Sequence, residues 1–316
     1  MTSRSTSSGA AWRRRVAAAP FMAPGIAVLI VFAAVPIALV TVYAFFERGR
    51  FGGVVPEFGF HNFARLADPL YLNVVMGSLG IGLIVTVLAL ILGYPTALAI
   101  VRLPAKWRTV ALIAVMLPFW TNFLIRTYAW ILLLNNAGWI NQGLMAVGLT
   151  DSPISMLYTQ PAVVVGLLYM YLPLMVLPLY ATLSGQDPQL REAATNLGAG
   201  PVRVFLTITL PMSIPGMLTG CIFVLVPSMS NFVIPELLGG GKSVLIGNLV
   251  RDQFLKARDW PFGAALALVL TVILLVLLVV QQRVASRLTE GAPLRDGETD
   301  AGRARATDRR HAEVAP

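Results

Sequence analysis

Apolar residues in this chain collect in long stretches instead of alternating with polar ones. Each stretch covers the ~20 residues that an α-helix needs to cross about 30 Å of hydrocarbon. Backbone groups in lipid must hydrogen-bond within their own segment, so helices are favoured over the shorter, alternating strands of a barrel. The pattern predicts an all-α transmembrane fold with six helices, at residues 21–46, 74–101, 109–134, 161–183, 212–235 and 262–281.

The first stretch follows the basic residues Arg13, Arg14 and Arg15, as the core of a signal peptide would. Its apolar part is longer than such a core, and no A-x-A cleavage site closes it before Glu47. We therefore expect an uncleaved first helix.

Composition agrees with a membrane protein and excludes other classes. Of 316 residues, 57% are hydrophobic and 12% are charged, against about 25% charged in soluble domains. One cysteine (Cys221) and two histidines (His61 and His311) cannot build a disulfide framework or a metal cluster. The net charge of +9 would suit nucleic acid, but the basic residues lie beside the apolar stretches and in the tails. We expect no nucleic-acid partner.

Basic residues also predict the orientation, because lysine and arginine are enriched in cytoplasmic loops. With the N-terminus inside, sixteen basic residues are cytoplasmic and seven are outside, while Arg126 stays within a helix. Both termini are therefore predicted to be cytoplasmic. The chain divides into a cytoplasmic tail (1–20), a six-helix transmembrane domain (21–285) and a polar C-terminal tail (286–316) that we expect to be disordered.

The fourth connection, about residues 186–211, is too long for a turn and lies on the predicted cytoplasmic side. Asp187-Pro188 is a helix start signal, Gly198 is a stop signal, and a second short helical stretch follows at 202–208. Two short helices broken at a glycine would form a projecting knob of mixed apolar and charged residues. Such a knob suits docking into a groove on a partner, although an amphipathic loop lying on lipid headgroups would have a similar pattern.

The spacing within this loop resembles the EAA motif of ABC importer permeases, EAA-x3-G-x9-I-x-LP. The matching residues are Glu192, Ala193, Ala194, Gly198, Ile208, Leu210 and Pro211. The resemblance implies that the loop docks in a cleft of a cytoplasmic ATPase: Glu192 makes a polar contact, the two alanines pack closely, and Gly198 breaks the chain where a Cβ is disfavoured.

The same resemblance implies a six-helix type I ABC importer permease in the bacterial inner membrane. Its expected partners are a second permease subunit, a cytoplasmic ATPase dimer, an extracytoplasmic solute-binding protein and the lipid bilayer. We expect no catalytic residue, metal or cofactor in this chain, since ATP and Mg would be bound by the ATPase. The segment GGGKS at 239–243 resembles a nucleotide-binding P-loop, but Glu236 stands where that motif needs glycine.

Segments 118–130, 167–180 and 245–266 together with the loop resemble the permeases of spermidine/putrescine importers, over about residues 70–285. Related permeases for opines or amino-acid-like solutes are alternatives. An ion-driven secondary transporter, which would need buried ion ligands, and a membrane scaffold for an ATPase are the rivals from other classes.

A cationic cargo would be attracted by carboxylates and aromatic faces. Each aromatic candidate could equally serve in packing or in the interfacial belt. The candidate pathway residues are Trp120, Tyr128, Tyr169, Tyr171, Asn231, Phe232 and Glu236.

Arg126 is the one charge well within an apolar stretch. On a continuous helix it would lie about 27 Å from Arg108, at the outer interface, where it could snorkel. A fixed cation would also repel a polyammonium substrate. We keep two interpretations, a structural anchor and a pathway residue.

Overall fold

The computed structural model describes residues 30–290 together with positions 24, 25 and 28, with side chains up to residue 284. The predicted N-terminal tail and residues 291–316 lie outside the described residues. Within them the fold is all-α apart from one short hairpin. The elements are α1 (Ile30–Ala44), β1 (Glu47–Arg48), β2 (Val54–Val55), α2 (His61–Leu66), α3 (Pro69–Arg102), α4 (Ala105–Trp120), α5 (Phe123–Leu134), α6 (Trp139–Ala146), α7 (Gln160–Ser184), α8 (Pro188–Asn196), α9 (Pro201–Val204), a π-helical turn (Phe205–Thr209), α10 (Leu210–Ser230), α11 (Val233–Gly239), α12 (Ile246–Leu255) and α13 (Trp260–Glu290).

The centre of the bundle is formed by α3, α7 and α10, which pack against one another. Small residues let these helices approach closely, as they do in other membrane bundles. Gly216 of α10 is such a position, because a Cβ there would lie 2.7 Å from the Pro178 carbonyl oxygen of α7. Both helices run through their internal prolines without a break.

Four helices in the described part of the chain are long and apolar enough to cross a membrane. They match the predicted second, fourth, fifth and sixth segments. The first predicted segment corresponds to α1, which is shorter than a full span. Most residues before α1 are not among the described ones. α13 continues to Glu290, so the last helix extends into the first residues of the tail that we predicted to be disordered. The spanning helices are Pro69–Arg102, Gln160–Ser184, Pro201–Ser230 and Trp260–Val284.

The third predicted segment, 109–134, is not one straight helix. α4 ends at Trp120, and α5 continues at a 90° angle to it. The break has a local cause, since Asn122 caps the new helix by accepting hydrogen bonds from the backbone N–H groups of Leu124 and Ile125. Counted as one broken span, this pair makes a fifth crossing.

The connections on the predicted outer side contain structure that the hydrophobic pattern did not predict. β1 and β2 pair as an antiparallel hairpin. The short helices α2 and α12 pack against α13. Arg65 of α2 forms an ion pair with the buried Asp259 at 2.9 Å, which fastens this region to the start of α13.

Candidate functional site: a coupling loop and a pathway cavity

Capping residues at both ends delimit the first helix of the 186–211 loop. The Asp187 carboxylate accepts the backbone N–H of Gln189 at 2.9 Å, and Pro188 occupies the first helical position. At the other end the N–H of Gly198 donates to the Thr195 carbonyl, and the N–H of Ala199 donates to the Ala194 carbonyl. This pair of bonds is a Schellman motif, which needs a left-handed residue after the helix.

Gly198 supplies that conformation with φ +82°. A Cβ on Gly198 would have no neighbour within 4 Å in this chain. Crowding within this chain is therefore not what restricts the position to glycine. The reason for glycine here is backbone conformation, because a left-handed φ strains residues with a Cβ.

The second half of the loop joins the bundle directly. α9 passes through the π-helical turn into α10, so the chain from 201 to 230 is one continuous helix with a wide turn inside it. Leu210 bonds back to the Phe205 carbonyl, five residues earlier. Pro211 follows and has no N–H, and a proline ring clashes with the carbonyl four residues before it in a regular helix. A wide turn relieves that clash.

Three contacts hold together the ends of the loop, the start of α10 and the neighbouring α3. The Gln186 side-chain amide donates to the Thr209 carbonyl at 3.1 Å, which joins the two ends of the loop. The Tyr94 hydroxyl of α3 is 3.0 Å from the Ser213 hydroxyl of α10. The Tyr94 ring also meets Phe205 edge to face, with centroids 5.9 Å apart. The sequence predicted none of these contacts, because a single polar residue within an apolar stretch does not indicate which residue it will contact.

The remaining surface of the loop projects away from the bundle. Glu192 and Ala193 are exposed, whereas Ala194, Ile208 and Leu210 are half-buried. Leu197 is 89% exposed, and other apolar side chains on the same loop are exposed as well. Exposed apolar residues beside charged ones are typical of a protein interaction site. The further exposed apolar side chains are Leu190, Val202 and Leu206.

Three of the seven pathway candidates meet in one place. Tyr171, about halfway along α7, accepts a hydrogen bond on its hydroxyl from the Asn231 side-chain amide at 2.8 Å. Asn231 and Phe232 form the break between α10 and α11. Together with Phe123 of α5 they line a cavity of about 420 Å³. Irregular backbone is tolerated at membrane depth where it lines a cavity, so the arrangement agrees with a pathway.

Glu236 of α11 forms an ion pair with Arg251 of α12. The hydrogen bond that Arg251 donates to the Glu236 carboxylate raises the pKa of Arg251 further above its ordinary value. Burial by itself would raise the pKa of Asp252, but hydrogen bonds from Arg251 and Lys256 lower it overall. Arg251 also lies over the Phe232 ring, 5.3 Å from its centroid. The carboxylate predicted at the pathway mouth therefore has a cationic partner in this chain.

The other three candidates are not part of this cavity. Trp120 and Tyr128 are exposed near the break between α4 and α5. Tyr169 packs edge to face against Trp130, with centroids 5.5 Å apart. Their positions agree better with packing or the interfacial belt than with the cavity wall.

Arg126 lies beyond the 90° bend, so the estimate of 27 Å along a continuous helix is wrong. Its guanidinium is close enough to Tyr171 to interact with it electrostatically. Nε and Nη1 are buried and have no hydrogen-bond partner among the described residues. Arg126 therefore lies beside the cavity, although it does not line it.

An all-α bundle with several apolar spans, a projecting polar loop and a cavity at membrane depth defines a membrane permease. The same architecture is found in solved transporters. A crystal structure of a bacterial ABC transporter that imports the polysaccharide alginate superposes with a TM-score of 0.68 at 20% identity, over 88% of this chain and 97% of that chain. The structure of the alginate transporter in complex with an alginate-bound periplasmic protein gives the same TM-score at 19% identity, over 88% and 96% of the two chains.

The chain belongs to the family of inner membrane components of binding-protein-dependent transport systems, whose model matches residues 86–290. It is 42% identical over 260 residues to the spermidine/putrescine transport system permease protein PotB of Escherichia coli K12, covering 82% of this chain and 94% of that protein. The protein is thus a multi-pass inner membrane permease with the type I importer fold.

Proposed function

We propose that this chain is the membrane-spanning subunit of an ATP-driven importer of spermidine, putrescine or related small amines. The observation that carries the substrate class is the 42% identity to PotB over nearly the whole of that protein. The cavity between Tyr171, Asn231 and Phe232 offers hydroxyl, amide and aromatic groups to an ammonium in passage. The Arg126 cation beside it would repel a polyamine, so the substrate class rests on the identity alone.

A separate cytoplasmic ATPase dimer hydrolyses ATP and binds the 186–211 loop. The exposed Glu192, Ala193 and Leu197 provide the docking surface. Movement of the loop is passed to the bundle through the continuous helix of residues 201–230. The bond from Gln186 to Thr209 holds the two ends of the loop together, and the bond between Tyr94 and Ser213 couples α10 to α3. α3 and α10 then rock between inward-facing and outward-facing states against a second permease subunit.

A soluble binding protein delivers the substrate on the outer side. The solved complex of the alginate transporter with its periplasmic protein supports this arrangement. The binding protein would supply most of the substrate specificity.

An ion-driven carrier agrees less well with the described residues. Such carriers hold coupling ions with acidic groups inside the membrane. In the described part of the chain the one buried acid is Asp259, and it is neutralised by Arg65 at the outer start of α13.

The first prediction concerns substrate and energy source. Proteoliposomes with this chain, its second permease and the ATPase should accumulate labelled putrescine or spermidine only when ATP is inside and the loaded binding protein is outside. Uptake without ATP under an ion gradient would contradict the energy source. Uptake of an opine or amino acid but of no polyamine would contradict the substrate class and leave the coupling proposal standing.

A further inference from the structure

The hairpin between α1 and α2 exposes an aromatic side chain at its tip. The turn between β1 and β2 carries Arg50 and Phe51, and Phe51 is 98% exposed. No other large apolar side chain among the described residues is as exposed. The hairpin is a two-stranded sheet with open edges, and open sheet edges do not lie in hydrocarbon, so it belongs in water.

The hairpin is held rigidly against a segment about 200 residues further along the chain. The Arg48 guanidinium donates to the Ala257 carbonyl at 2.7 Å, and the Gly53 N–H donates to the Arg258 carbonyl at 3.2 Å. Within the turn, the N–H of Gly52 donates to the Gly49 carbonyl. Phe51 is therefore presented from a fixed support and not from a loose loop.

Two arginines lie close to the aromatic tip in the chain or in space, whereas the exposed acids Glu47 and Glu57 lie at the base of the hairpin. Arg50 and Arg258 are exposed, and neither makes a side-chain hydrogen bond or ion pair within the described residues. Arg258 has φ +52°, a conformation that strains residues other than glycine. Lys256, by contrast, is paired with Asp252.

We propose that Phe51, flanked by Arg50 and Arg258, is the contact by which this permease holds an acidic surface of its soluble binding protein. Aromatic and arginine side chains dominate the energetics of protein interfaces. Opposite charge on the partner would steer its approach and fix its register. The outer location of the hairpin rests on the proposed function, through the predicted orientation of the chain.

The test is the concentration of loaded binding protein that half-maximally stimulates ATP hydrolysis by the purified complex in neutral-lipid nanodiscs. Phe51→Ala and Arg50→Glu should each raise that concentration by about tenfold and leave the basal hydrolysis rate unchanged. Arg258→Gly removes a cation without adding backbone strain and should act in the same direction. Added salt should weaken the stimulation of the wild type more than that of Arg50→Glu.

Trp139→Ala, which removes an exposed aromatic residue from α6, is the matched control and should leave the stimulation unchanged. Equal stimulation of the wild type and of all three hairpin variants would overturn the inference. If the hairpin variants lose stimulation only in anionic-lipid nanodiscs, and their basal hydrolysis falls there too, the patch binds lipid headgroups. That result would also overturn the inference. A wild type that no binding protein stimulates would instead contradict the proposed function.

Discussion

At the scale of single residues, Gly198 shows how one backbone angle ends α8 and shapes the loop that we propose for coupling. Its φ of +82° allows the Schellman bonds that end α8, while the space around its Cα is open. Placing alanine in a left-handed conformation costs about 1–2 kcal/mol, whereas asparagine tolerates this conformation better.

The second prediction is a graded series at this position. Transport coupled to ATP hydrolysis should fall in the order Gly198, Asn, Ala, Val, while membrane insertion stays constant. Uptake and hydrolysis measured on the same reconstituted complexes check the order. Equal coupling in the asparagine and valine variants would indicate that the left-handed turn has no part in docking.

The ion pair between Glu236 and Arg251 could act in the pathway or only stabilise the loop. Neutralising either partner in turn distinguishes the two roles. If the pair is at the mouth of the pathway, Glu236→Gln removes a carboxylate that attracts polyamines and leaves Arg251 paired with Asp252 alone. Arg251→Gln removes the cation and leaves the Glu236 carboxylate without this partner. The third prediction is that the first variant slows uptake and the second does not.

The expected changes are modest, since exposed ion pairs are worth about 0–1 kcal/mol, or up to about fivefold in rate. Initial uptake rates at low and at raised salt measure them, and salt should reduce the difference. If both variants slow uptake equally, the pair stabilises the loop and takes no part in the pathway.

At the scale of elements, the loop of residues 186–211 is linked to the bundle by few bonds. Removing the Tyr94 hydroxyl or replacing the Gln186 amide deletes one buried hydrogen bond, worth about 1 kcal/mol. The Ser213 hydroxyl keeps its bond to the Leu210 carbonyl in a Tyr94→Phe variant, so no buried group is left unpaired there.

The fourth prediction is that Tyr94→Phe and Gln186→Leu leave complex assembly intact but loosen coupling. The number of ATP molecules hydrolysed per substrate imported should rise, by up to about fivefold for a 1 kcal/mol loss. Thr96→Ala is a matched control, because Thr96 is on the same helix and its exposed hydroxyl bonds only to the Leu92 carbonyl. An unchanged ratio in both variants would mean that other contacts transmit the movement.

The sequence allowed most of the spans to be predicted, since burial in lipid requires long apolar stretches whose ends are easy to locate. It also allowed the helix–glycine–helix form of the loop to be predicted, because caps and glycines act locally. The 90° bend at Asn122 was missed, since an asparagine within an apolar stretch resembles a tolerated polar residue until its capping bonds are seen.

The candidate site could be predicted only in part. Tyr171, Asn231 and Phe232 do meet, although they are about 60 residues apart in the chain. The pairing of Glu236 with Arg251 and the anchors of the loop depend on which helices become neighbours. No periodicity within one segment carries that information.

At the scale of the whole molecule, the two large apolar side chains that are most exposed among the described residues lie at different connections of the bundle. Phe51 is on the hairpin between α1 and α2, and Leu197 is at the end of α8. With the predicted orientation, Phe51 would face the binding protein and Leu197 would face the ATPase. The central claim is that the loop carrying Leu197 is cytoplasmic and covered by the ATPase.

Cysteine accessibility tests that claim most directly. On a Cys221→Ser background, single cysteines replace Leu197 in the loop and, as controls, residues near 55, 145 and 250. A membrane-impermeant thiol reagent should label the three controls in intact cells. It should label Leu197→Cys only in inside-out vesicles, and bound ATPase should protect that position. Labelling of Leu197→Cys from outside the cell, or labelling that bound ATPase does not reduce, would contradict the account.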